Sequence, residues 1–247
     1  MSRVRALWRH PIKGHGRETL DTVSLTEGQT MPWDRRWAVS HEAARLDDCG
    51  WAPSVNFSRG SKVASLMAIS ARSDEAGGTV TLRHPDLPDL TFDPDRDHRA
   101  FLEWVRPIMP SDRAQSFAIH RVEGRGMTDT DYPSVSLINL ASNADLSRRA
   151  KVEVSPVRWR CNIHVDGFAP WQEFEWIGRV LRLGTAEITV REPILRCLAT
   201  TANPESGERD VDTLKALNTH FGHQDFGVYA EVTRSGRIAV GDPVEVH

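Results

Sequence analysis

The sequence has little cysteine and no long apolar run, and each shortage excludes a class of protein. Three cysteines (Cys49, Cys161 and Cys197) occur in 247 residues, too few to pair completely within one chain and without zinc-finger spacing. No run approaches the roughly 18 apolar residues of a membrane span. Charges interrupt residues 1–10, where a signal peptide would need apolar sequence. We therefore expect a cytoplasmic protein that does not enter a membrane.

A strong excess of charge of one sign is also missing. The formal net charge is −3, which provides no broad basic field, so nucleic acid is not an expected partner. Apolar residues make up 39% of the chain and charged residues 26%, an ordinary composition for a globular protein with a core. The length suffices for one large or two small domains.

Short strands separated by Gly, Pro, Asn and Asp dominate the pattern. We predict strands over residues 4–8, 37–39, 63–69, 79–82 and 244–246. Two hairpins are predicted, one from 180–183 with 186–190 and one from 229–233 with 237–240. Parallel strand–helix–strand repeats are not evident. The sequence therefore predicts a β-rich α+β fold, a barrel with a few helices.

Three segments have helical spacing of apolar residues. They are residues 97–106, 142–150 and 210–221. Ser142 opens the second with capping-box spacing. Gly222 follows the third at the position where glycine ends helices.

The segment around Cys197 carries the most informative chemistry. A strand-like apolar stretch leads into it and a turn follows. A thiolate is a soft ligand that can hold a transition metal. Upstream, residues 158–162 supply arginine and asparagine, which suit the phosphate and amide groups of an anionic cofactor. Neighbours on an extended chain point to opposite faces, so Arg196 is not expected to activate Cys197.

Several runs occur in the order found in one family. They are LWRHPIKG (7–14), DRRWAV (34–39), RCNIHVDG (160–167), RCLATT (196–201), FGVY (226–229) and VGDPV (240–244). With these runs the sequence resembles two-part MOSC proteins, named after the C-terminal domain of molybdenum cofactor sulfurase. The pattern is similar to that of the mitochondrial amidoxime-reducing components and their bacterial relatives. The resemblance implies an N-terminal β-barrel module over residues 1–105 and a MOSC domain over residues 106–247.

The resemblance also implies a site. Its cofactor would be the molybdenum cofactor (Mo-molybdopterin), with Cys197 as the metal ligand and catalytic residue. The implied cofactor contacts are Lys13, Arg35, Arg160, Asn162, Cys197 and Tyr229. An arginine can bind the cofactor's phosphate through two hydrogen bonds, a lysine supplies a point charge, and an asparagine can donate and accept.

The activity implied by the resemblance is that of an oxidoreductase. It would remove or transfer an oxygen atom of a small-molecule substrate, for example by reducing an N-hydroxylated compound. The sequence has no iron–sulfur cysteine set, flavin fingerprint or haem motif. Electrons would therefore come from a separate electron-donor protein.

The sequence departs from the family pattern at three positions. Gly14 stands where relatives often have serine, so a hydroxyl contact is missing. Cys161 replaces a proline that is common between the arginine and the asparagine. Ile194 stands where relatives have another cysteine, which leaves Cys197 as the single thiol of its loop.

Other interpretations of the same residues stay open. The chain could carry the molybdenum cofactor, or sulfur as a Cys197 persulfide, without catalysis. Cys197 could be an inert buried thiol, in a barrel that binds no cofactor. Cys161 and His164 have C-x-x-H spacing, but a structural zinc site needs about four ligands and no second pair is obvious.

Overall fold

Apolar and polar residues alternate along most of the chain, and these stretches form strands. The computed structural model describes residues 2–46 and 50–247, so Cys49 lies outside the described residues. The strands are β1 (Arg3–Arg9), β2 (Ile12–Lys13), β3 (Glu18–Leu20), β4 (Thr22–Leu25), β5 (Trp37–His41), β6 (Ser70–Asp74), β7 (Thr79–His84), β8 (Leu87–Phe92), β9 (Ser116–Arg121), β10 (Val135–Asn139), β11 (Ile163–Asp166), β12 (Val180–Leu183), β13 (Ala186–Leu195), β14 (Asp225–Arg234), β15 (Gly236–Ala239) and β16 (Val244–Val246). The α-helices are α1 (His98–Val105), α2 (Leu140–Ala150) and α3 (Thr213–Phe221). The predicted β-rich α+β fold is confirmed.

One large sheet contains eight strands in the order β16-β12-β13-β14-β10-β11-β1-β3. Its inner face buries aliphatic side chains, including Leu137, Ile163, Val190 and Val228. Burial of such side chains contributes about 1.5–3 kcal/mol each before the entropic cost of folding is subtracted. The ladder between β13 and β14 shifts register at three points and is last paired at Leu195. The end of β13 therefore places Cys197 just beyond the sheet.

A second core lies against the smaller sheets. Strands β2, β5 and β9 form one sheet, and β6, β7 and β8 form another. Helix α1 and these strands bury Trp37, Leu82 and Phe101 in one cluster. Phe92 stacks on Phe101 with 5.5 Å between ring centroids. This core holds β2 in place, and β2 ends with Lys13.

Strands from both halves of the chain share sheets. The N-terminal strand β1 pairs with β11 of the large sheet, from Arg3 opposite Asp166 to Leu7 opposite Ile163, with one register shift between Val4 and Ala6. In the other direction, β9 pairs with β5. The division into residues 1–105 and 106–247 stays a prediction.

Two strand predictions were wrong. Residues 63–69 form no strand, because Ala64–Ala68 is a 3-10 helix. An unbroken apolar run indicates burial, and its periodicity does not distinguish a strand from a helix. Strand β15 is not a hairpin partner of β14, since it pairs with β4 from Gly236 opposite Leu25 to Ala239 opposite Thr22.

One strand–helix–strand crossover exists where none was evident from the pattern. Strands β10 and β11 are parallel and are connected through α2. The connection places residues 156–162 at the end of the large sheet, where a 3-10 helix, Pro156–Trp159, leads into Arg160. Crossovers of this kind position the loops that carry functional residues.

The three predicted helices exist, with shifted ends. Gly222 ends α3 in the left-handed conformation with φ of 78°, as predicted. The capping of α2 is different, because Asn139 caps it by accepting a hydrogen bond from the backbone of Ala141. The hydroxyl of Ser142 instead donates 2.7 Å to the carboxyl group of Glu173. No helix of the described residues has the length and apolarity of a membrane span.

Glu173 gives the fold a pH dependence. Its side chain is fully buried, and burial raises its pKa from 4.5 to about 7. Because the folded pKa is the higher one, its stabilisation is complete below pH 4.5 and is lost as pH rises through 7. We expect the Glu173→Gln variant to lack this loss of about 3 kcal/mol. Urea unfolding between pH 4.5 and 8 measures it.

The matched control for this experiment is Glu175→Gln. Glu175 belongs to the same 3-10 helix but is exposed. Its replacement is expected to leave the pH profile of the unfolding free energy as in the parent. If the free energy of unfolding depended on pH in the same way in the parent and in Glu173→Gln, Glu173 would not be the source of the pH dependence.

Candidate functional site

A cavity of about 550 Å³ collects most of the predicted site residues. It lies where the end of β2, the turn before β5, the segment after the 3-10 helix Pro156–Trp159 and the end of β13 meet. Its walls include Lys13, Arg35, Arg160, Cys197 and Tyr229. Five of the six predicted residues therefore line one cavity, within the size range typical of small-molecule sites.

Cys197 is an exposed free thiol at this cavity. It follows β13 directly, and its carbonyl accepts hydrogen bonds from the backbone N–H of Thr200 (3.1 Å) and from its hydroxyl (3.0 Å). Leu195 and Leu198 beside it are 73% and 50% exposed. The thiol is thus open to a ligand, and the interpretation as an inert buried cysteine is wrong.

Arg196 does not act on Cys197, as the alternation predicted. Its guanidinium is buried, donates 2.8 Å to the carbonyl of Phe226 and 2.8 Å to that of Trp159, and lies 3.2 Å from the sulfur of Cys161. Arg196 therefore holds the segments of Phe226 and Trp159 together in the cavity wall.

Arg209 fastens the Cys197 loop to the opposite wall. One guanidinium nitrogen donates to the carbonyl of Leu198 and to the hydroxyl of Thr201. The other donates to the carbonyls of Gly60 (3.3 Å) and Ser61 (3.0 Å). The position of the loop thus depends on a contact across the cavity mouth.

Lys13 is buried, and its ammonium group already donates hydrogen bonds to three acceptors. The ammonium donates to the carbonyls of Met127 (2.7 Å) and Thr128 (3.1 Å) and to the carboxylate of Asp129 (2.6 Å). Burial lowers the pKa of Lys13. A ligand would have to compete with Asp129 for this ammonium.

Arg35 is held in a left-handed conformation with φ of 49°. Its guanidinium pairs with the buried carboxylate of Asp34 and donates 3.0 Å to the carbonyl of Arg160. The backbone N–H of His10 donates 2.8 Å to Asp34. The neighbouring carboxylate thus neutralises the charge of Arg35 and fixes its direction.

Arg160 is a cation of the site with one buried nitrogen that has no hydrogen-bond partner. It also has a left-handed backbone, with φ of 51°, a conformation that concentrates at functional sites in non-glycine residues. One terminal nitrogen donates 3.1 Å to the carbonyl of Gly16, while the other is buried without a partner. Burial, followed by the charges of Arg35 and Arg17, lowers its pKa to about 9. An anionic ligand would relieve both costs.

Buried histidines near these cations add no charge. Burial lowers the pKa of His10 to about 3 and that of His15 to about 4. Both imidazoles are therefore neutral at pH 7, and the positive charge of the site is that of its arginines and lysine.

Asn162 does not line the cavity. Its carbonyl oxygen accepts from the backbone N–H (3.1 Å) and hydroxyl (2.9 Å) of Ser136, and its amide donates 3.2 Å to the carbonyl of Trp8. These hydrogen bonds connect β1 to β10 beneath the site.

Tyr229 lines the cavity. Burial raises the pKa of its hydroxyl, and the charge of Asp129 raises it further.

Sequence reasoning missed two further cations on the wall. Arg59 and Lys62 line the cavity on either side of Gly60. An added Cβ at Gly60 would lie 2.6 Å from the sulfur of Met67, so that flexible side chain would have to shift. Two cations around a glycine are a weak signal, which the sequence alone could not connect to Cys197.

The residues of this cavity fit an anionic cofactor that contains a metal, because a thiolate could coordinate that metal. The exposed sulfur of Cys197 and the unpaired guanidinium nitrogen of Arg160 belong to the same cavity. Among the described residues no group of three or more His, Cys, Asp or Glu side chains could hold a metal ion. A metal at Cys197 would therefore need most of its ligands from a cofactor.

Comparison with known proteins places the chain in a family. The model of the MOSC N-terminal beta barrel domain matches residues 1–106, and that of the MOSC domain matches residues 127–245. The chain therefore belongs to the MOSC-domain proteins.

Similar curated proteins carry two kinds of name. Mitochondrial amidoxime reducing component 2 of Bos taurus is 31% identical over 126 residues, which are 46% of this chain and 37% of that protein. Molybdenum cofactor sulfurase of Drosophila grimshawi is 32% identical over 116 residues, 44% of this chain and 15% of that protein. The matches thus span 37% or less of the length of these relatives.

Among solved structures, the YuaD protein from Bacillus subtilis is similar with a TM-score of 0.47 and 12% identity, over 100% of this chain and 96% of that one. YiiM from Geobacillus stearothermophilus has a TM-score of 0.37 and 17% identity, over 46% of this chain and 53% of that one.

Proposed function

We propose that this MOSC protein binds the molybdenum cofactor in the Cys197 cavity and works as an oxidoreductase. The observation that carries the proposal is the placement of an exposed thiol and an incompletely paired buried guanidinium, Arg160, on one cavity. A soft anionic ligand and a phosphate-binding cation are the two groups that such a cofactor needs from a protein.

The chain would hold the cofactor from both ends. Arg160 would donate to its phosphate through the nitrogen that now lacks a partner, with Lys13 and Arg35 adding positive charge. Cys197 would donate its thiolate to the metal. Asn162 would act indirectly, by fixing the strands under the site. Tyr229 would form part of the wall.

The bound cofactor would supply the two-electron redox chemistry. The reaction is reduction of an N-hydroxylated small molecule, in which the N–O bond breaks, two electrons and two protons are consumed and the oxygen leaves as water. The protein's contribution is to orient the substrate and exclude water. The exposed Leu195 and Leu198 beside the thiol would contact the apolar part of that substrate. Relatives named as amidoxime reducing components support this substrate class.

A separate electron-donor protein would supply the electrons. The cavity mouth beside Cys197 is open, so a donor could approach the site without a large rearrangement. A cytoplasmic location stays a prediction.

The exposure of Cys197 also supports a second candidate function. A thiol that other proteins can reach can receive a sulfur atom as a persulfide, and one relative is a molybdenum cofactor sulfurase. In this alternative the chain would deliver cofactor or sulfur. A stable persulfide at Cys197 in protein without molybdenum would support it.

The decisive test measures molybdenum and pterin per chain, after expression in a host that makes the cofactor. We expect Cys197→Ser to lose most of its molybdenum and its ability to reduce a hydroxylamine-type substrate with an artificial donor. Cys161→Ser is the matched control, because Cys161 is the other thiol that lines the cavity. It is expected to retain the metal. Equal metal content in Cys197→Ser and the parent would remove Cys197 from the ligand role.

A further inference from the structure

A second cavity lies on the other side of the turn that carries Arg35. Its volume is about 380 Å³, within the range of small-molecule sites. Residues 29–36 and 121–126 form most of its wall. Arg35 lines the Cys197 cavity, while Asp34 and Arg36 line this one. One turn therefore separates two cavities.

Arg36 is the central cation of this second cavity. Its guanidinium carbon lies 5.0 Å from the ring centroid of Trp33 and 5.3 Å from that of Trp37. Its Nε–H is buried and has no hydrogen-bond partner. The rings hold the guanidinium in place by cation–π contact but accept no conventional hydrogen bonds from it. A buried donor in this state costs free energy that a ligand oxygen would recover.

The carboxylates of Asp34 and Asp95 are paired with other arginines. Asp34 pairs with Arg35. Asp95 accepts 2.7 Å from Arg121 and 2.7 Å from the indole of Trp37. Arg36 therefore retains its charge without a carboxylate partner in residues 2–46 and 50–247.

Two more arginines add to the positive charge of the wall. Arg121 lines the cavity and has only the half-exposed Asp95 as its partner. Arg125 also lines it and donates to carbonyl and hydroxyl oxygens, such as that of Asp131 at 2.7 Å. Apart from the paired Asp34, the wall has one acidic residue, the exposed Glu123, among the described residues. Cations exceed anions around this cavity.

From this geometry we infer that the second cavity binds a small oxyanion, a phosphate or a carboxylate, with Arg36 as its main contact. The planar guanidinium matches two oxygens of such a group. Cysteine, histidine and lysine are absent from the wall formed by the described residues. The proposed role of this site is oxyanion binding. It requires neither the molybdenum cofactor nor Cys197.

The test is equilibrium dialysis of the full cofactor-free chain against labelled inorganic phosphate at low ionic strength, with acetate as a competitor. Arg36→Gln is expected to weaken one class of phosphate sites about tenfold. Arg160→Gln should affect only the other class, in the Cys197 cavity. Arg113→Gln is the control, because this exposed arginine lines neither cavity. Displacement of phosphate by acetate would identify a general oxyanion site, and its absence would identify a phosphate site.

A second variant keeps the inference falsifiable if Arg36→Gln does not fold. Glu123→Gln removes an exposed carboxylate from the wall, and it should tighten phosphate binding about twofold by removing repulsion. Identical isotherms for Arg36→Gln and the parent would overturn the inference. So would loss of all phosphate binding in Arg160→Gln, or unchanged affinity in Glu123→Gln.

Discussion

Arg160→Gln is expected to stabilise the cofactor-free chain and to weaken its hold on the cofactor more than tenfold. The guanidinium is charged at pH 7, but one nitrogen is buried without a partner and burial lowers its pKa to about 9. Because the folded pKa is below the ordinary value of an arginine, the charge destabilises the fold at all pH values well below 9. Glutamine removes the charge.

The expected gain is about 2 kcal/mol, or about 5 °C in unfolding temperature. Calorimetry of the cofactor-free protein measures it, and molybdenum and pterin content measures retention. A higher unfolding temperature together with lower cofactor retention is characteristic of a residue that contributes to binding and lowers stability.

Arg158→Gln is the matched control. Arg158 is buried in the cavity wall, and its Nε also lacks a hydrogen-bond partner. Unlike Arg160, it pairs with a carboxylate, that of Asp210 at 2.7 Å, and it donates 3.2 Å to the carbonyl of Thr201. Its replacement should destabilise the chain by about 2 kcal/mol. If Arg160→Gln lowered the unfolding temperature as Arg158→Gln does, Arg160 would be a structural residue and the binding role would fail.

Gly14→Ser is expected to destabilise the chain by about 3 kcal/mol. Gly14 has φ of 75°, and an added Cβ would lie 2.6 Å from the carbonyl oxygen of Ser58 and 3.3 Å from the Cα of Arg59. The backbone of the opposite wall thus occupies the space of a side chain. We therefore expect serine to displace the segment after Lys13 and to lower cofactor retention.

Gly78→Ser separates the two causes of this effect. Gly78 has φ of 70° but nothing within 4 Å of an added Cβ, so its replacement should cost only the conformational penalty, about 1 kcal/mol. Chemical unfolding of both variants gives the difference. Equal losses in the two variants would mean that contact with Ser58 is unimportant.

Several strands, such as β1, β5, β7 and β12, were readable from the sequence because strand periodicity is local. The exposure of Cys197 next to the buried Arg196 follows from the alternation of side chains at the end of a strand. Gly222 at the end of α3 follows from its freedom to adopt positive φ. The capping of α2 was not readable, because Ser142 is recruited by Glu173, a residue 31 positions away.

Pairing between distant segments was the part that local pattern could not supply. Strand β15 has a short connection to β14 yet pairs with β4. The two strands on either side of α2 are parallel, which their separate patterns do not reveal. Both arrangements depend on which surfaces bury the most apolar area in the whole chain.

By itself, the sequence determined that this chain is β-rich, that a cysteine follows an apolar strand and that arginines precede it by some 40 residues. Only the tertiary structure decided which cations carry unbalanced charge. Arg35 and Arg160, 125 positions apart, meet at one hydrogen bond, but Asp34 neutralises the first while the second keeps a buried nitrogen without a partner. Residue type fixes which charges a chain has, whereas burial and pairing, which are properties of the fold, decide which of them remain for a ligand.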